Sequence, residues 1–524
     1  MINVLEIQAP TVEWMPLLPL LLVFGGAVVG VLFEAFAPRS TRYVLQTGLS
    51  ILVLLGAGAA VLFQMAELEP QTIAMGLLSH DGPTLIFWSL LILFSLGGVA
   101  LFAERGVGDG QSAFASSASA VPGSPLEREA VRLRREHTEV FPLLLFSLLG
   151  MMLFASANDL IALFVALEVM SLPLYLLSAM ARRRRLLSQE AGLKYFLLGS
   201  LASGFFLYGI AMLYGYSGGL TLTDVAAALD AGADNYWLLL LGLVLLAVGL
   251  LFKVGAVPFH SWVPDVYMGA PTPVTGFMAI ATKTAAIAAL MRVFYVGLGG
   301  ASWDWQPLLG VIAVGSMILG AVVGLSQNDL KRLLAYSAIT HAGFLLVGIV
   351  GAVEPGVGVT VSSVGAVAFY LLTYGVATLG AFGLLLTVRR SGGEANGIAA
   401  WRGIGRSNPV VASVMTLFFL SFAGIPLTAG FVGKLVVFSS AFQGGFGWLV
   451  LIAVVLSVVA AFFYLKIVVA MWFQDADEDS DTVVVTPSLW TWTVVLVGVL
   501  ATIVLGILPG GMIELMNNFS EFIR

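Results

Sequence analysis

Apolar runs of about 20 residues recur from one end of this chain to the other, and that length matches the hydrocarbon thickness of a bilayer. Only 10% of its 524 residues are charged and 59% are hydrophobic, against about 25% charged in soluble domains. The pattern predicts an all-α polytopic membrane protein with about fourteen transmembrane helices. No polar stretch is long enough for a soluble domain, which excludes a hidden Rossmann, P-loop or kinase-like site. The chain has no cysteine, so it supplies neither a disulfide nor ligands for an iron–sulfur cluster. Its four histidines, at 80, 137, 260 and 341, show no metal-binding spacing.

Basic residues alternate between loops. Arg39 and Arg42, Arg105 with the Arg128–Arg135 cluster, Arg182–Arg185, Lys331 with Arg332, and Arg389 through Arg406 fall in every second loop. Seventeen of the 24 basic residues thereby lie on one side. The positive-inside rule makes that side cytoplasmic and places both termini outside. The acidic loop DADEDSD (475–481) then falls on the cytoplasmic side, which acidic residues do not oppose. The opening MINVLEIQAPTVEW lacks Lys and Arg, so the first apolar run is expected to be retained rather than cleaved as a signal peptide.

One polar insertion, residues 106–137, interrupts the pattern. Small residues, Ser and Pro predict a flexible first half, and EREAVRLRREH a short charged helix. GGAVVG (25–30) has the spacing of close helix packing. The Arg182–Arg185 run either anchors topology or meets anionic lipid.

Against this background three lysines stand out: Lys253, Lys283 and Lys434 all lie within hydrophobic runs. A charge at bilayer depth costs about 2.5–3.5 kcal/mol on insertion scales, so such residues are charge-moving candidates by default. Lys253 precedes Pro258, and Lys434 follows Pro426. Matched Pro/Gly-interrupted segments point to a transport site in an inverted-repeat fold. The expected division is 1–105 (peripheral helices 1–3), 106–137 (cytoplasmic loop), 138–300 (first five-helix repeat, helices 4–8), 301–474 (second repeat, helices 9–13) and 475–524 (acidic loop and helix 14). Helices 7 and 12, the fourth of each repeat, are broken.

Burial disfavours the ammonium of Lys253, while a nearby carboxylate favours it. Glu168, in LIALFVALEVMSLPLYLL, is the candidate counter-charge. His341 titrates near neutrality when unperturbed and suits a relay, although a lone membrane histidine also serves packing. Lys194 and Lys466 are near enough to helix ends to snorkel.

The stretch KVGAVPFHSWVPDVYMGAPTPVTGFMAIATKTA (253–285) resembles the antiporter-like, proton-translocating subunits of respiratory complex I, the bacterial NADH–quinone oxidoreductase. ALEVMSLPLYLL (166–177), EAGLKYFLLGS (190–200), NDLKRLLAYSAITHAGFLLVG (328–348) and LSFAGIPLTAGFVGK (420–434) agree in the expected order. The resemblance implies fourteen helices, two inverted five-helix repeats, and a relay of Glu168, Lys253, Lys283 and Lys434, with His341 and Lys194 as further members. Lysine at 434 departs from the glutamate that subunits L and M usually carry there. A chain ending soon after Pro509 is expected to lack the lateral helix of subunit L. The insertion 106–137 is longer than the family pattern.

The implied function couples quinone reduction in partner subunits to proton transfer through this chain. No cofactor is expected in the chain itself; FMN, iron–sulfur clusters and quinone belong to partners. Expected neighbours are subunit M, small subunit K, the lateral helix of subunit L and lipids, with no nucleic acid, in the bacterial inner membrane. Rival readings are an Mrp-type cation/proton antiporter subunit, the equivalent subunit of a ferredoxin-fed photosynthetic complex, and a scaffold with relic lysines.

Overall fold

The structure, a computed structural model, describes residues 13–108, 110–117, 120–121, 124–133, 136–354, 356, 361–390, 393–476 and 481–524. Glu6, Arg134, Arg135 and residues 477–480 of the acidic loop lie outside that set. Twelve helices are long and apolar enough to cross a membrane, from Trp14–Phe36 to Leu489–Ile507. Val140–Ser156, Pro409–Ala423 and Ala429–Gln443 are shorter apolar helices. The chain is a multi-pass membrane protein and almost wholly helical. Strands among the described residues make only two small sheets, of two and three strands. Helix prevails because hydrocarbon offers no partner to a backbone N–H or C=O outside its own segment.

Three helices form the centre. Thr272–Arg292, Leu330–Gly351 and Ser363–Leu385 are buried along nearly all of their length. A helix shielded from lipid on every side can carry polar groups, and these three hold Lys283, His341, Tyr370 and Tyr374. Outer helices such as Arg39–Ala66 and Gly447–Phe473 instead present Leu52, Leu62, Val458 and Phe462 outward. The first two helices approach closely through Gly26, where an added Cβ would lie 2.4 Å from Val53.

Two structural details occur twice. Leu160–Ser178 and Leu330–Gly351 both start after Asn-Asp, and Asp159 and Asp329 accept backbone N–H bonds as caps. The N–H of Leu160 donates to Leu220 O and that of Leu222 to Asn158 O. Likewise Leu330 donates to Asn396 O and Ile398 to Asn328 O. The second detail is a broken helix. Tyr236–Val254 ends on Gly255 (φ +77°), and the chain passes Pro258 before the short helix Trp262–Gly269. Pro409–Ala423 ends on Gly424 (φ +83°), passes Pro426 and resumes as Ala429–Gln443. Both glycines adopt the left-handed conformation that side chains resist. Their bonding is the same: Gly255 N–H faces the carbonyls of Leu251 and Phe252, and Gly424 N–H those of Leu420 and Ser421.

The insertion departs from the expectation of a flexible first half. Phe114 is buried and packs edge-on against Phe102, with ring centres 5.0 Å apart. Ala115 N–H donates to Met180 O, and Arg182 N–H to Ala113 O. One aromatic anchor and two backbone bonds outweigh the small-residue composition here. Residues 109, 118–119 and 122–123 lie outside the described set. The charged half does contain a helix, Pro125–Arg132, capped by Ser124. Arg185 is buried rather than offered to lipid: it donates to Ser117 O and Ala120 O and pairs with Glu127 at 3.3 Å.

A second buried ion pair fastens the periphery to the centre. Arg292 donates to both carboxylate oxygens of Asp81, at 2.8 and 2.7 Å, with both side chains at most 1% exposed. Asp81 also caps the helix Gly82–Phe102 through Thr84 and accepts the N–H of Ile523. Burial pushes the Asp81 carboxyl up, but Arg292 and Thr84 outweigh it and hold it below the ordinary carboxylate range. A group depressed in this way adds stability above its unfolded pKa, and the contribution is lost as pH falls through the folded value. Asp81→Asn should therefore destabilise the fold by about 3–5 kcal/mol near pH 7. Thermal melts of wild type and variant should converge as pH drops below about 4; parallel melts at every pH would contradict this role.

Candidate functional site

Lys253 occupies the last turn of Tyr236–Val254 and is 3% exposed. The turn at Gly255 leaves its ammonium among aromatic rings. Nζ donates to the Tyr175 hydroxyl at 3.5 Å and stands 5.2 and 5.1 Å from the ring centres of Tyr175 and Tyr195. Tyr195 stacks at 4.6 Å on Trp262, the first residue after the break. Ring faces stabilise a cation without neutralising it.

Glu168 makes no direct ion pair with Lys253. One of its carboxylate oxygens is buried without a hydrogen-bond partner, yet its charge reaches both Tyr175 and Lys253. Tyr175 lies seven residues beyond Glu168 on the same helix, hence on the same face. Glu168 therefore acts on Lys253 through space, and the one hydrogen bond of the Lys253 ammonium goes to the Tyr175 hydroxyl.

Lys283 is mid-helix in Thr272–Arg292, where Nζ donates to Ala338 O and stands 5.6 Å from the Tyr374 ring. Lys253 and Lys283 face one cleft, walled by Trp262, Tyr267, Thr282 and Ile339, that has no room for a water molecule. Three residues beyond Ala338 comes His341. Its Nδ1 bonds the Tyr370 hydroxyl at 2.5 Å and its Nε2 the Tyr464 hydroxyl at 3.1 Å. Tyr464 in turn bonds Ser337, and the imidazole stacks on Tyr374 at 4.2 Å. A neutral imidazole donates from one nitrogen and accepts at the other, so this placement lets a proton enter at one hydroxyl and leave at the other.

Lys434 solves burial differently. Its Nζ donates to Phe422 O at 2.8 Å, Ala423 O at 2.9 Å and the Ser457 hydroxyl at 2.8 Å. The two carbonyls belong to the last turn of Pro409–Ala423, where helix geometry leaves them without an intrahelical partner and the dipole is negative. The break thus makes the acceptors for the lysine that follows it. Aligning the two glycine caps puts Phe422 in the place of Lys253, so the lysines occupy opposite sides of their breaks. The charges of Lys283 and Lys434 both reach His341.

Lys283 and Lys434 thus lie on either side of His341, close enough for their charges to act on it, with Lys253 across the narrow cleft from Lys283. Lys194 stands apart: its side chain is 43% exposed and bonds Asp265 and Glu190, each at 2.8 Å. Lys466 is exposed and approaches Gln327 O at 3.2 Å. Sequence reasoning missed Tyr175, Tyr370, Tyr374, Tyr464, Ser337 and Ser457. Tyr175 carried a signal in its spacing from Glu168, as did Tyr370 and Tyr374, four apart in an apolar run. Tyr464 and Ser457 are joined to the site only by tertiary packing. Among the described residues no cluster of three metal-ligating side chains occurs.

A family model described as NADH:quinone oxidoreductase/Mrp antiporter, TM, matches residues 157–460. A Cutibacterium acnes protein named NADH-quinone oxidoreductase subunit N is 55% identical over 524 residues, covering 99% of this chain and 97% of that one. One of the same name from Rhodococcus opacus is 49% identical, with 99% and 98% covered. A solved chain of respiratory complex I from Thermus thermophilus, with bound aureothin, matches at TM-score 0.74 and 34% identity over 95% of this chain and 98% of that one. A chain of the Mrp complex from Dietzia matches at TM-score 0.78 over 97% of each chain, but at 20% identity that likeness shows the fold alone. Broken helices around a buried lysine row define an antiporter-like membrane subunit, and the chain belongs to the NADH:quinone oxidoreductase/Mrp antiporter family. Its near-full-length relatives within that family carry the name NADH-quinone oxidoreductase subunit N.

A Cβ at Gly424 would come within 3.0 Å of Lys434 Cδ and 3.1 Å of Nζ, whereas one at Gly255 would meet only Val263. Gly424→Ala and Gly255→Ala should each cost about 1–2 kcal/mol through the left-handed backbone. Only Gly424→Ala should also displace the Lys434 ammonium from its two carbonyls, which an experimental structure of each variant would reveal. An undisturbed Lys434 in Gly424→Ala would refute the account of how it is held.

Proposed function

We propose that this chain is the proton-translocating membrane subunit N of a bacterial NADH–quinone oxidoreductase. The observation that carries the reading is the row Lys253, Lys283, His341 and Lys434 at the centre of the helical bundle. Near-full-length identity of 47–55% to proteins named subunit N supports this reading over the Mrp one, where the likeness stops at the fold.

Fourteen membrane crossings follow when Val140–Ser156 counts as one and the pair Pro409–Ala423 and Ala429–Gln443 as another, beside the twelve long spans. Helices from 138–300 and 301–474 make two five-helix repeats. The duplicated Asn-Asp-Leu starts and the duplicated glycine caps support that division. An odd number of helices per repeat inverts one against the other. Residues 1–105 and 475–524 are peripheral, and 106–137 lies on the cytoplasmic side. The basic loops orient both termini outward in the inner membrane. Subunits M and K and the lateral helix of subunit L are the neighbours. FMN, iron–sulfur clusters and quinone are held by partner subunits, and this chain contributes proton transfer.

Quinone reduction in the partners alters the charge near Glu168. Tyr175 and the field of Glu168 carry that change to Lys253, whose ammonium is surrounded by rings and has one long hydrogen bond. The cleft toward Lys283 must open and admit water before the proton crosses, which blocks leakage at rest. Beyond it, Lys283, His341 and Lys434 form the onward path, with release on the outside. Each proton moved against 100 mV needs about 2.3 kcal/mol, so opening has to be driven by the redox subunits. Lys194, exposed and doubly paired, serves the cytoplasmic end.

Lys253→Ala should lower proton pumping in the assembled enzyme by about tenfold or more, as loss of a positioned proton-transfer group does. Glu168→Ala should act in the same direction. Tyr175→Phe keeps the ring and removes only the hydroxyl, so its effect should be about two- to tenfold. Normal pumping by both Lys253→Ala and Glu168→Ala in proteoliposomes would sink the proposal.

A further inference from the structure

Described residues of the insertion, among them Ser112, Glu127 and Arg128, line one wall of a cavity of about 910 Å³ on the face that carries the basic loops. That volume is in the range of small-molecule sites rather than of a single ion. The other walls are the Arg182–Leu187 stretch, the end of Trp262–Gly269 and residues from Leu386 to Asn396. Arg182–Arg185, Arg128, Arg389 and Lys331 line it, against three carboxylates, Glu104, Glu127 and Glu394.

Each carboxylate is already engaged. Glu104 accepts from the backbone and hydroxyl of Ser488 and from Thr491. Burial pushes its carboxyl up, but those bonds prevail and hold it below the usual range. Glu127 pairs with Arg185, and Glu394 accepts from Thr272 at 2.5 Å and lies 4.0 Å from Lys331. Among the described residues, the guanidinium groups of Arg128 and Arg184 have no hydrogen-bond or ion-pair partner. Arg184 adopts φ +54° and is close enough to repel Lys331. Two buried polar atoms of the wall also have no partner: the Ser112 hydroxyl, in a residue 8% exposed, and the Asn396 side-chain oxygen, in one 6% exposed.

An excess of cations around a roomy cavity, with the Ser112 hydroxyl left unbonded in its wall, suits a multiply charged anion. We propose that this cavity binds a phosphate-bearing anion, gripped by Arg128 of the insertion and Arg184 opposite it. Guanidinium forks match phosphate oxygens in pairs. The Ser112 hydroxyl would donate a further bond to it. The chemistry is shared by a free phosphate compound and by the headgroup of an anionic phospholipid.

The test uses the whole purified complex, carrying this chain or its Arg128→Gln/Arg184→Gln double variant. Radiolabelled inorganic phosphate and inorganic triphosphate are measured by equilibrium dialysis. Phosphatidylglycerol retained through detergent washing is measured by lipid extraction. Phosphate sites elsewhere in the complex contribute equally to both preparations, so the difference is the readout. We expect one probe to bind about tenfold or more weaker to the double variant, with Arg128→Lys/Arg184→Lys restoring part of it. A loss confined to the free phosphates identifies a soluble anion, and one confined to phosphatidylglycerol identifies a lipid headgroup. Should the double variant fail to assemble, Arg128→Gln alone, on the exposed insertion helix, gives the same reading. Equal binding of all three probes by wild type and variant overturns the proposal.

Discussion

A buried ammonium needs polar atoms around it, and this fold makes them by breaking helices. A carbonyl inside an unbroken membrane helix is already engaged by its own N–H ladder and offers a cation only its second lone pair, as Ala338 O does to Lys283, whereas a helix end leaves carbonyls unengaged. Ending Pro409–Ala423 at Gly424 frees the carbonyls of Phe422 and Ala423 inside the bundle, and Lys434 takes both. Ending Tyr236–Val254 at Gly255 instead lets Phe252 O accept the Trp262 indole N–H at 2.9 Å beside the Gly255 N–H at 3.1 Å. That bond fixes the ring on which Tyr195 stacks, and Tyr195 faces Lys253. The same backbone device therefore gives two environments: one lysine held by carbonyls, the other by aromatic faces.

The two ammonium groups are thus met differently. Three close acceptors hold that of Lys434 in place. Ring faces and one 3.5 Å bond surround that of Lys253. Between Lys253 and Lys283 the cleft is too narrow for a water molecule. A path that were wet throughout would equilibrate protons across the membrane and store nothing. Burial on all sides of the three central helices supplies the low-dielectric surroundings in which small charge changes have large effects.

Much of the architecture was legible from hydropathy, because spanning length and helix formation are imposed by the bilayer rather than by tertiary detail. The breaks could be read from Pro258 and Pro426, and the lysines from their depth. What the residues could not reveal was how each charge is met. Glu168 was the obvious partner for Lys253, but the hydrogen bond goes to Tyr175, since seven-residue spacing aligns the two without saying which reaches across. Lys194, near a helix end, and Lys253, deep in a run, were both relay candidates; the fold puts the first at a surface cluster with Asp265 and the second among rings. The insertion misled for a related reason: one phenylalanine in a run of small polar residues is enough to dock it.

The account stands or falls on whether a proton passes from Lys253 to the Lys283–His341–Lys434 group. Proton yield per NADH oxidised, in proteoliposomes containing the whole complex with Lys283→Met, tests this most directly. Methionine keeps the bulk of the side chain and removes the ammonium, while the dry cleft and the quinone chemistry elsewhere are left in place. A proton yield clearly below that of wild type, with subunit composition unchanged, is the predicted result. A yield equal to wild type would contradict the relay.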